Sequence, residues 1–300
     1  MESVSRLLAM TIPNNFPKIS IVTPSFNQGA YLEQTIQSII GQNYPNLEYI
    51  VMDGGSTDNS VDIIRKYESH ITHWESRTDG GQADAINRGF ALATGDILAW
   101  LNSDDMYLPG ILDLISKEFS AAGKDELQIF FGNCIHLVEE TGEVFGSKVR
   151  QTAHVSDLEL YDYLIQPSCF WTKNTADIVG PLHERLIYAF DWEWFLRAKK
   201  KGCAFIPLDQ YLSIYRIHAG HKTGSGGMNR VAEISEIYNE FCSHEVGTMY
   251  LRYYSDINIK RIRAVFFKLH LDRIFDVEKW IYRIFFREIG WRVFEQITKM

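Results

Sequence analysis

Short apolar runs alternate with amphipathic stretches along the first half of the chain. The runs are rich in β-branched residues and predict strands, whereas the stretches between them space their apolar residues as helices do. The predicted strands read KISIVTPS, NLEYIVMD, ITHWES and DILAWLN, and the predicted helices read YLEQTIQSIIGQ, SVDIIRKY, GQADAINRGFALATG and LPGILDLISKEF. This alternation indicates βαβ units and an α/β fold with a mostly parallel central sheet between flanking helices.

The pattern changes after residue 125. QIFFGNCIHLVEETGEVFGSKV predicts a hairpin that turns at EETGE, and AFDWEWFLRAKKKGCAFIPL predicts a helix that leads into a strand. YRIHAGHKTGSGGMNR is polar and rich in glycine, which predicts a mobile loop. From about Val231 onward the chain is expected to be helical. We therefore divide it into an N-terminal lead at 1–17, an α/β domain at 18–225 and a helical C-terminal extension at 226–300.

Composition and charge narrow the class of protein. Hydrophobic residues make up 46% and charged residues 23% of the 300 residues, as in globular proteins, and the net charge of −8 argues against a general nucleic-acid binder. The N-terminus lacks the apolar core of a signal peptide, and no stretch approaches the roughly 20 apolar residues that span a bilayer. We therefore expect a cytoplasmic protein. Its cysteines form no C-x-x-C pair and are expected to be free thiols: Cys134, Cys169, Cys203 and Cys242.

The predicted fourth strand ends in an acidic turn, Asn102-Ser103-Asp104-Asp105. Adjacent carboxylates repel each other unless a cation lies between them, and Mg²⁺ or Mn²⁺ prefers such oxygen ligands together with phosphate oxygens. In a parallel sheet, ligands bind beyond the carboxyl ends of the strands, where this turn and Asp53 are both expected. The alternative is a solvated turn that caps the next helix.

Three further segments carry groups that suit chemistry. Asp53 ends a buried strand before two glycines, where a carboxylate can accept a hydrogen bond from a uracil or thymine N–H; the alternative is an Asx turn. Asp191 lies near the start of an aromatic helix, which can raise its proton affinity and suit a general base; the alternative is an N-cap. His218 and His221 lie beside cationic residues and are candidates for metal and diphosphate contacts, or else belong to a solvated loop.

The order of these motifs resembles glycosyltransferase family 2, whose members have the GT-A fold. The resemblance covers about residues 18–223 and is carried by ISIVTPSFNQGAYLEQTIQSIIGQNYPNLEYIVMDGGSTDNS, GQADAINRGFALATGDILAWLNSDD, FDWEWFLR and YRIH. It implies an inverting, metal-dependent enzyme that moves a sugar from a nucleotide-sugar, with UDP favoured, to a saccharide or lipid-linked acceptor. By analogy, the product context is a bacterial polysaccharide or lipopolysaccharide.

The resemblance also implies roles for individual residues. Asp191 matches the catalytic base, and Asp104, Asp105 and His218 match the metal site for Mn²⁺ or Mg²⁺. The expected nucleotide-sugar contacts are Thr23, Pro24, Phe26, Asp53, Asn102, Ser103 and Asp104. The expected acceptor or diphosphate contacts are Gln166, Trp192, Arg216, His221 and Lys222.

The chain departs from the family pattern at three positions. The family often has a second acid where this chain has Gly54, an acid where it has Asn102, and an acid where it has Phe190. These departures put the donor preference in doubt and keep open a catalytically weak or inactive scaffold that binds nucleotide-sugar. A P-loop NTPase is excluded because G-x-x-x-x-G-K-[ST] is absent. A nucleotidyltransferase would need a basic, Gly-rich loop after the first strand, and an Asp-nucleophile phosphatase would need an acid at position 55.

The last 43 residues, 258–300, mix aromatic residues with ten basic and five acidic residues, a net charge of +5. One interpretation is a pair of helices on the inner face of the cytoplasmic membrane, which would bring a lipid-linked acceptor to the site. The alternative is a subdomain that packs on the catalytic core or on a second copy of the chain as a homodimer.

Overall fold

We describe the fold from a computed structural model, which describes residues 16–122, 126–148, 157–222, 226–270 and 275–298. Most of the predicted N-terminal lead, residues 1–15, lies outside the described residues. The strands are β1 Ile19–Ser25, β2 Leu47–Asp53, β3 His73–Ser76, β4 Ile97–Trp100, β5 Met106–Tyr107, β6 Gln128–Val138, β7 Glu143–Ser147, β8 Cys169–Thr172 and β9 Ala204–Ile217. All of them belong to one sheet.

The first four strands confirm the predicted parallel sheet. The sheet order begins β3-β2-β1-β4, and every pairing within this half is parallel. Ser25 pairs with Asp53, and Asp53 pairs with Ser76, so the first three strands end level with one another. Because parallel strands end on the same side, the turns that follow them meet at one edge of the sheet.

The second half of the sheet is mixed, which the alternation of strands and helices does not predict. The order continues β8-β6-β9-β5, β7 pairs with β6 as the predicted hairpin, and β8 is antiparallel to β4. The two-residue strand β5 pairs antiparallel with β9 through Met106–Ile214 and Tyr107–Ser213. This short pairing places the acidic turn against the end of β9.

Helices cover both faces of the sheet. They are α1 Leu32–Ile40, α2 Ser60–Lys66, α3 Gln82–Leu92, α4 Ile111–Ala122, α5 Lys173–Val179, α6 Phe190–Lys200, α7 Gly227–Phe241, α8 His244–Ser255, α9 Ile257–Lys268, α10 Val277–Phe285 and α11 Trp291–Thr298. Side chains of β1 alternate between two cores: Ile19 and Ile21 pack with α1, α2 and α4, whereas Val22 faces the core that contains α3 and α6. Period-two alternation in a strand buried on both sides explains this division.

The C-terminal helices share the second core with the sheet. Tyr238, Tyr250, Tyr253 and Phe294 are buried in the same apolar cluster as Trp100 and Trp171. The predicted helical character after Val231 is therefore confirmed, and it begins at Gly227. No helix within the described ranges is both long and apolar enough to cross a membrane.

Candidate active site

A cleft of about 850 Å³ lies at the carboxyl ends of the parallel strands. The cleft is lined by the segments that follow β1, β2, β3 and β4, by the segment before β8 and by the start of α6. The cleft brings together these residues predicted from the sequence: Pro24, Phe26, Asn102, Ser103, Asp104, Asp105, Gln166, Asp191, Trp192, His221 and Lys222. The arrangement follows the rule that open α/β sheets bind ligands beyond the strand ends.

The two adjacent aspartates of the acidic turn have different environments. Asp105 is 1% exposed, and its Oδ1 accepts a hydrogen bond from the backbone N–H of Arg216 at 3.0 Å. Burial, and secondarily the charge of Asp104, raise the pKa of Asp105 well above its usual range. The Asp104 carboxylate is more open to the cleft, and its Oδ2 lies 3.1 Å from His218 Nε2. The turn is thus neither fully solvated nor fully buried.

His218 is fixed by its neighbours. Its ring packs on Tyr31 with 4.6 Å between centroids, and its Nδ1 accepts a hydrogen bond from the N–H of Gly220. This bond leaves the proton of a neutral ring on Nε2, which then donates to Asp104. Metal binding through Nε2 would require the proton to move to Nδ1 and the Gly220 N–H to turn away. His221 packs beside this ring, and its Nδ1 lies 2.6 Å from the carbonyl oxygen of His218.

A divalent cation fits the Asp104–His218 pair with substrate oxygens as further ligands. Among the residues that the structure describes, no three His, Cys, Asp or Glu side chains are grouped to hold a metal by themselves. Mg²⁺ and Mn²⁺ in nucleotide sites are commonly held by one or two carboxylates together with substrate phosphates. The donor set here is one accessible carboxylate and one imidazole, which suits such a shared site.

Arg216 is placed differently from the predicted diphosphate contact. Its side chain is 3% exposed, and the guanidinium binds Glu139 at 2.6 Å, Gln34 at 2.5 Å and the carbonyl oxygen of Asp104 at 2.9 Å. Its donors are therefore engaged inside the protein, and Arg216 holds the acidic turn in place. Lys222 does line the cleft, where its Nζ binds Gln82 Oε1 at 3.1 Å and burial lowers its pKa.

Two predicted nucleotide contacts lie beneath the cleft surface. Thr23 is fully buried and contacts the hydroxyl of Tyr49 at 3.2 Å. Asp53 is also fully buried, and its carboxylate accepts hydrogen bonds from the N–H groups of Gly55 and Ser56 and from the Ser56 and Ser76 hydroxyls. These bonds form the Asx turn that was the alternative for this segment.

Amide side chains connect the acidic turn to α3 and to the segment before β8. Gln82 donates to Asn102 Oδ1 at 2.8 Å, and the Asn102 amide lies 3.5 Å from Gln166 Oε1. Gln166 in turn donates to the carbonyl oxygen of Trp100 at 2.8 Å and is 6% exposed. Asn102 therefore takes part in a polar chain that a carboxylate at this position would not make in the same way.

Asp191 lies in the first turn of α6 and lines the cleft. Burial is the main cause that raises its pKa, and the charge of Glu233 adds to the shift. Its neighbour Trp192 is buried and donates to the carbonyl oxygen of Leu158 at 2.8 Å. A carboxyl group with raised proton affinity at a cleft wall can act as a general base.

Two acids near Asp191 were missed in the sequence. Glu233 of α7 accepts hydrogen bonds from the N–H groups of Ile187, Tyr188 and Ala189 at 2.6 to 2.7 Å and so holds the segment that leads into α6. Asp162 lines the cleft, and its Oδ1 has no hydrogen-bond partner among the described residues. Burial, followed by the charge of Asp191, raises the pKa of Asp162. Neither lies in a motif, and only the folded chain brings them together.

Glu193 has a structural role. It is 1% exposed and binds Arg197 Nε at 2.7 Å, while the same guanidinium donates to the carbonyl oxygens of Val179 and Pro181. This ion pair ties α6 to the end of α5, and Glu193 does not line the cleft.

Comparison with known protein families identifies the first half of the chain. The model described as "Glycosyl transferase family 2" matches residues 20–168. This span contains all but the first residue of β1, the strands β2 to β7, the acidic turn and Gln166. Asp191 and His218 lie beyond it, so their roles rest on the geometry described above and on the sequence resemblance.

Curated relatives agree with this match. The chain is 27% identical over 168 residues to "Glycosyltransferase GlyG" of Streptococcus pneumoniae serotype 4, an alignment that covers 54% of each chain. It is 32% identical over 136 residues to "Uncharacterized glycosyltransferase YibD" of Escherichia coli K12, covering 45% of this chain and 39% of that protein. The aligned part thus spans about half, or less, of these relatives.

Solved structures establish the fold. S. aureus TarS 1–349 in complex with UDP-GlcNAc superimposes with a TM-score of 0.57 at 16% identity, over 79% of this chain and 71% of that one. The mannosyltransferase PcManGT from Pyrobaculum calidifontis, in complex with GDP-Man and Mn²⁺, gives a TM-score of 0.57 at 14% identity, over 86% and 82%. At such identities the likeness shows a shared architecture only.

Proposed function

Because the chain belongs to glycosyl transferase family 2 through residues 20–168, we propose that it is an inverting enzyme that transfers a sugar from a nucleotide-sugar to an acceptor hydroxyl. The observation that carries this proposal is that one cleft is lined by both Asp104, which meets His218, and Asp191. An inverting transfer needs a leaving-group site and a base on opposite sides of the anomeric carbon.

The reaction is a single displacement. The acceptor oxygen forms a bond to the anomeric carbon while the bond from that carbon to the diphosphate breaks. Asp191 takes the proton of the acceptor hydroxyl, and the electron pair of the broken bond leaves with the nucleoside diphosphate. General-base assistance of this kind contributes about 10²–10⁴-fold in rate. The raised proton affinity of Asp191 suits this task, because a stronger base removes the proton more completely.

The negative charge that develops on the departing diphosphate must be offset by positive charge near the acidic turn. Asp104 and His218 are the residues that would hold a Mn²⁺ or Mg²⁺ ion, which would supply a positive charge beside the phosphate oxygens. Lys222 lines the same cleft, where its Nζ donates a hydrogen bond to the neutral amide oxygen of Gln82, and its ammonium group can add positive charge beside the diphosphate. Asn102 and Gln166 present amide groups that can bind sugar or ribose hydroxyls.

UDP is the proposed donor nucleotide, and the acceptor is a saccharide or lipid-linked hydroxyl. TarS has been solved with UDP-GlcNAc and PcManGT with GDP-Man, so the shared fold accommodates more than one base. The pathway proposed is assembly of a surface polysaccharide or lipopolysaccharide.

The surface of α9 and α10 supports a contact with an anionic membrane. The exposed large apolar side chains on these two helices and between them are, within the described residues, Ile257, Val265, Phe267, Leu269, Phe275, Trp280 and Ile284. Exposed basic side chains on the same two helices and just after them are Lys260, Arg261, Lys268, Lys279, Arg283 and Arg287. Aromatic and aliphatic groups beside arginine and lysine suit a headgroup surface. A homodimer through this surface is the competing arrangement.

The test is release of nucleoside diphosphate from a panel of nucleotide-sugars with Mn²⁺, Mg²⁺ or EDTA. We expect slow, metal-dependent release of UDP from one donor, and loss of at least 100-fold in Asp104→Ala. The control replaces an acid that lies away from the cleft: Asp113→Ala, in the first turn of α4, should leave the release of UDP unchanged. Glu139→Ala is unsuitable as a control, because Glu139 binds Arg216, which holds the acidic turn. Binding of a donor without turnover in any metal would favour the scaffold, and absence of any donor binding would refute the proposal.

A further inference from the structure

The nucleobase end of the cleft lacks the contact that was expected from Asp53. Asp53 Oδ1 accepts a hydrogen bond from Ser56 Oγ. Asp53 Oδ2 accepts hydrogen bonds from the N–H groups of Gly55 and Ser56 and from Ser76 Oγ. The residue is fully buried and does not line the cleft. Asp53 therefore shapes the turn after β2, and a base-reading group must come from elsewhere.

Asp79, in the segment after β3, occupies the volume next to Gly54. A Cβ atom built on Gly54 would lie 2.9 Å from Asp79 Oδ2 and 3.3 Å from its Cγ. Both residues line the cleft, at the end formed by the parallel strands β2 and β3. The Asp79 carboxylate thus lies where the side chain of an acid at position 54 would begin.

The Asp79 side chain is held with one oxygen available. Its Oδ1 accepts a hydrogen bond from the N–H of Gly81 at 2.9 Å. Within the described ranges, its Oδ2 accepts no hydrogen bond and has an ion-pair partner only at 3.9 Å, the Nη2 of Arg88. Arg88 is shared with Glu75 at 3.3 Å, so it does not neutralise Asp79 alone. An anchored carboxylate with a free oxygen at a cleft wall is a ready acceptor.

We propose that Asp79 recognises the nucleobase by accepting a hydrogen bond from its N–H, in place of the acid that is missing at position 54. This inference rests on the proposed function, because it requires that a nucleotide occupies the cleft. Uracil presents N3–H to such an acceptor. Cytosine presents a lone pair at N3, which a carboxylate repels. The segment after β3 would then set the base preference.

The experiment is calorimetric binding of UDP and CDP, which share the ribose and diphosphate and differ at the base edge. We expect the wild-type protein to bind UDP more tightly than CDP. Asp79→Asn keeps an oxygen for the Gly81 N–H but loses the charged acceptor. A hydrogen bond to a charged group corresponds to about 10- to 100-fold in affinity, so UDP affinity should fall by that factor and the UDP preference should collapse. The affinities for GDP and dTDP, measured in the same way, identify the preferred base if the protein does not prefer UDP.

Two further variants keep the test sharp. In Gly54→Asp/Asp79→Gly the acid moves to the neighbouring position, into the volume that Asp79 leaves, and we expect the UDP preference to return at least in part. Asp53→Asn should lower the melting temperature while leaving the UDP:CDP ratio unchanged. If Asp53→Asn removes the preference and Asp79→Asn does not, Asp53 reads the base and the inference is overturned. If the wild-type protein binds none of these nucleotides, the proposed function itself fails.

Discussion

Replacing Glu233 with glutamine tests how the C-terminal helices support catalysis. The carboxylate of Glu233 accepts three backbone N–H groups from residues 187–189, just before the helix that carries Asp191. Glutamine keeps one acceptor oxygen for Tyr188 and Ala189 and turns an NH₂ group toward the N–H of Ile187. A hydrogen bond to a charged acceptor contributes about 1.5–3 kcal/mol and a neutral one about 0.5–1.5 kcal/mol. Because Glu233 is partly exposed to solvent, we expect the free energy of unfolding to fall by about 2 kcal/mol in this variant.

The same change should alter catalysis in two ways. The segment before α6 loses its anchor, so Asp191 is positioned less well, and we expect kcat to fall about 10-fold or more. The negative charge of Glu233 contributes to the raised pKa of Asp191, after burial. Removing that charge makes ionisation of Asp191 easier, so its pKa falls. The acidic limb of the pH–rate profile should therefore move to lower pH.

The assay is donor hydrolysis from pH 4 to 9, with thermal unfolding measured on the same samples. Glu236→Gln is the matched control, since Glu236 lies on the same helix but is exposed and forms an exposed ion pair with Arg185 at 3.6 Å. It should leave kcat and the acidic limb unchanged. If Glu233→Gln lowers the melting temperature while kcat and the limb match the control, Glu233 only stabilises the fold.

Three other changes have defined outcomes. Asp162→Asn should keep kcat/KM within about threefold, whereas Asp191→Asn should lose at least 100-fold, because Asp191 is the proposed base, while burial and the charge of Asp191 raise the pKa of Asp162 and so favour its protonated form; the reverse ranking would make Asp162 the base. Glu48→Gln should destabilise the protein by roughly 3 kcal/mol at pH 7. Burial acts to raise the pKa of Glu48, but hydrogen bonds from Lys18, Ser20 and Thr94 outweigh burial and lower it to about 2. Its contribution is therefore present above the unfolded pKa and lost as pH falls through about 2, so urea unfolding of the two proteins should converge in acid. Phe267→Ser/Trp280→Ser should reduce binding to phosphatidylglycerol vesicles in flotation about 10-fold, while exposed Ile178→Ser should not; no binding by the full chain would exclude the membrane contact.

The parallel half of the fold was predictable because its signals are local. Strands β1 to β4 are short apolar runs, and the helices between them repeat apolar residues at helical spacing. The acidic turn was also predictable, since a polar cluster after a buried strand belongs at the carboxyl edge of the sheet. These features need no information about distant parts of the chain.

The rest of the cleft depends on contacts between residues that are distant in the sequence. Asp104 meets His218, 114 positions later, because the two-residue strand β5 pairs with β9. Such a short pairing has no periodicity of its own to detect. No local pattern in the sequence predicts the contact of Glu233 either, because this residue of the C-terminal helices binds the segment just before α6.

Charged residues were the hardest to interpret from the sequence. Arg216 was expected at the diphosphate, but its donors are used inside the protein by Glu139, Gln34 and Asp104. The loop expected at 215–230 begins later than predicted, because Tyr215 to Ile217 complete β9; its residues 223–225 lie outside the described residues. A sequence shows which charges exist but not which partners satisfy them.

The most direct test of the central claim is the configuration of the sugar released when water replaces the acceptor. The donor found in the panel, a UDP-α-sugar, would be hydrolysed with excess enzyme and followed by proton NMR before the product mutarotates. The account predicts that the β-anomer appears first and that Asp191→Asn abolishes its formation while UDP still binds. First appearance of the α-anomer would contradict a single displacement assisted by Asp191.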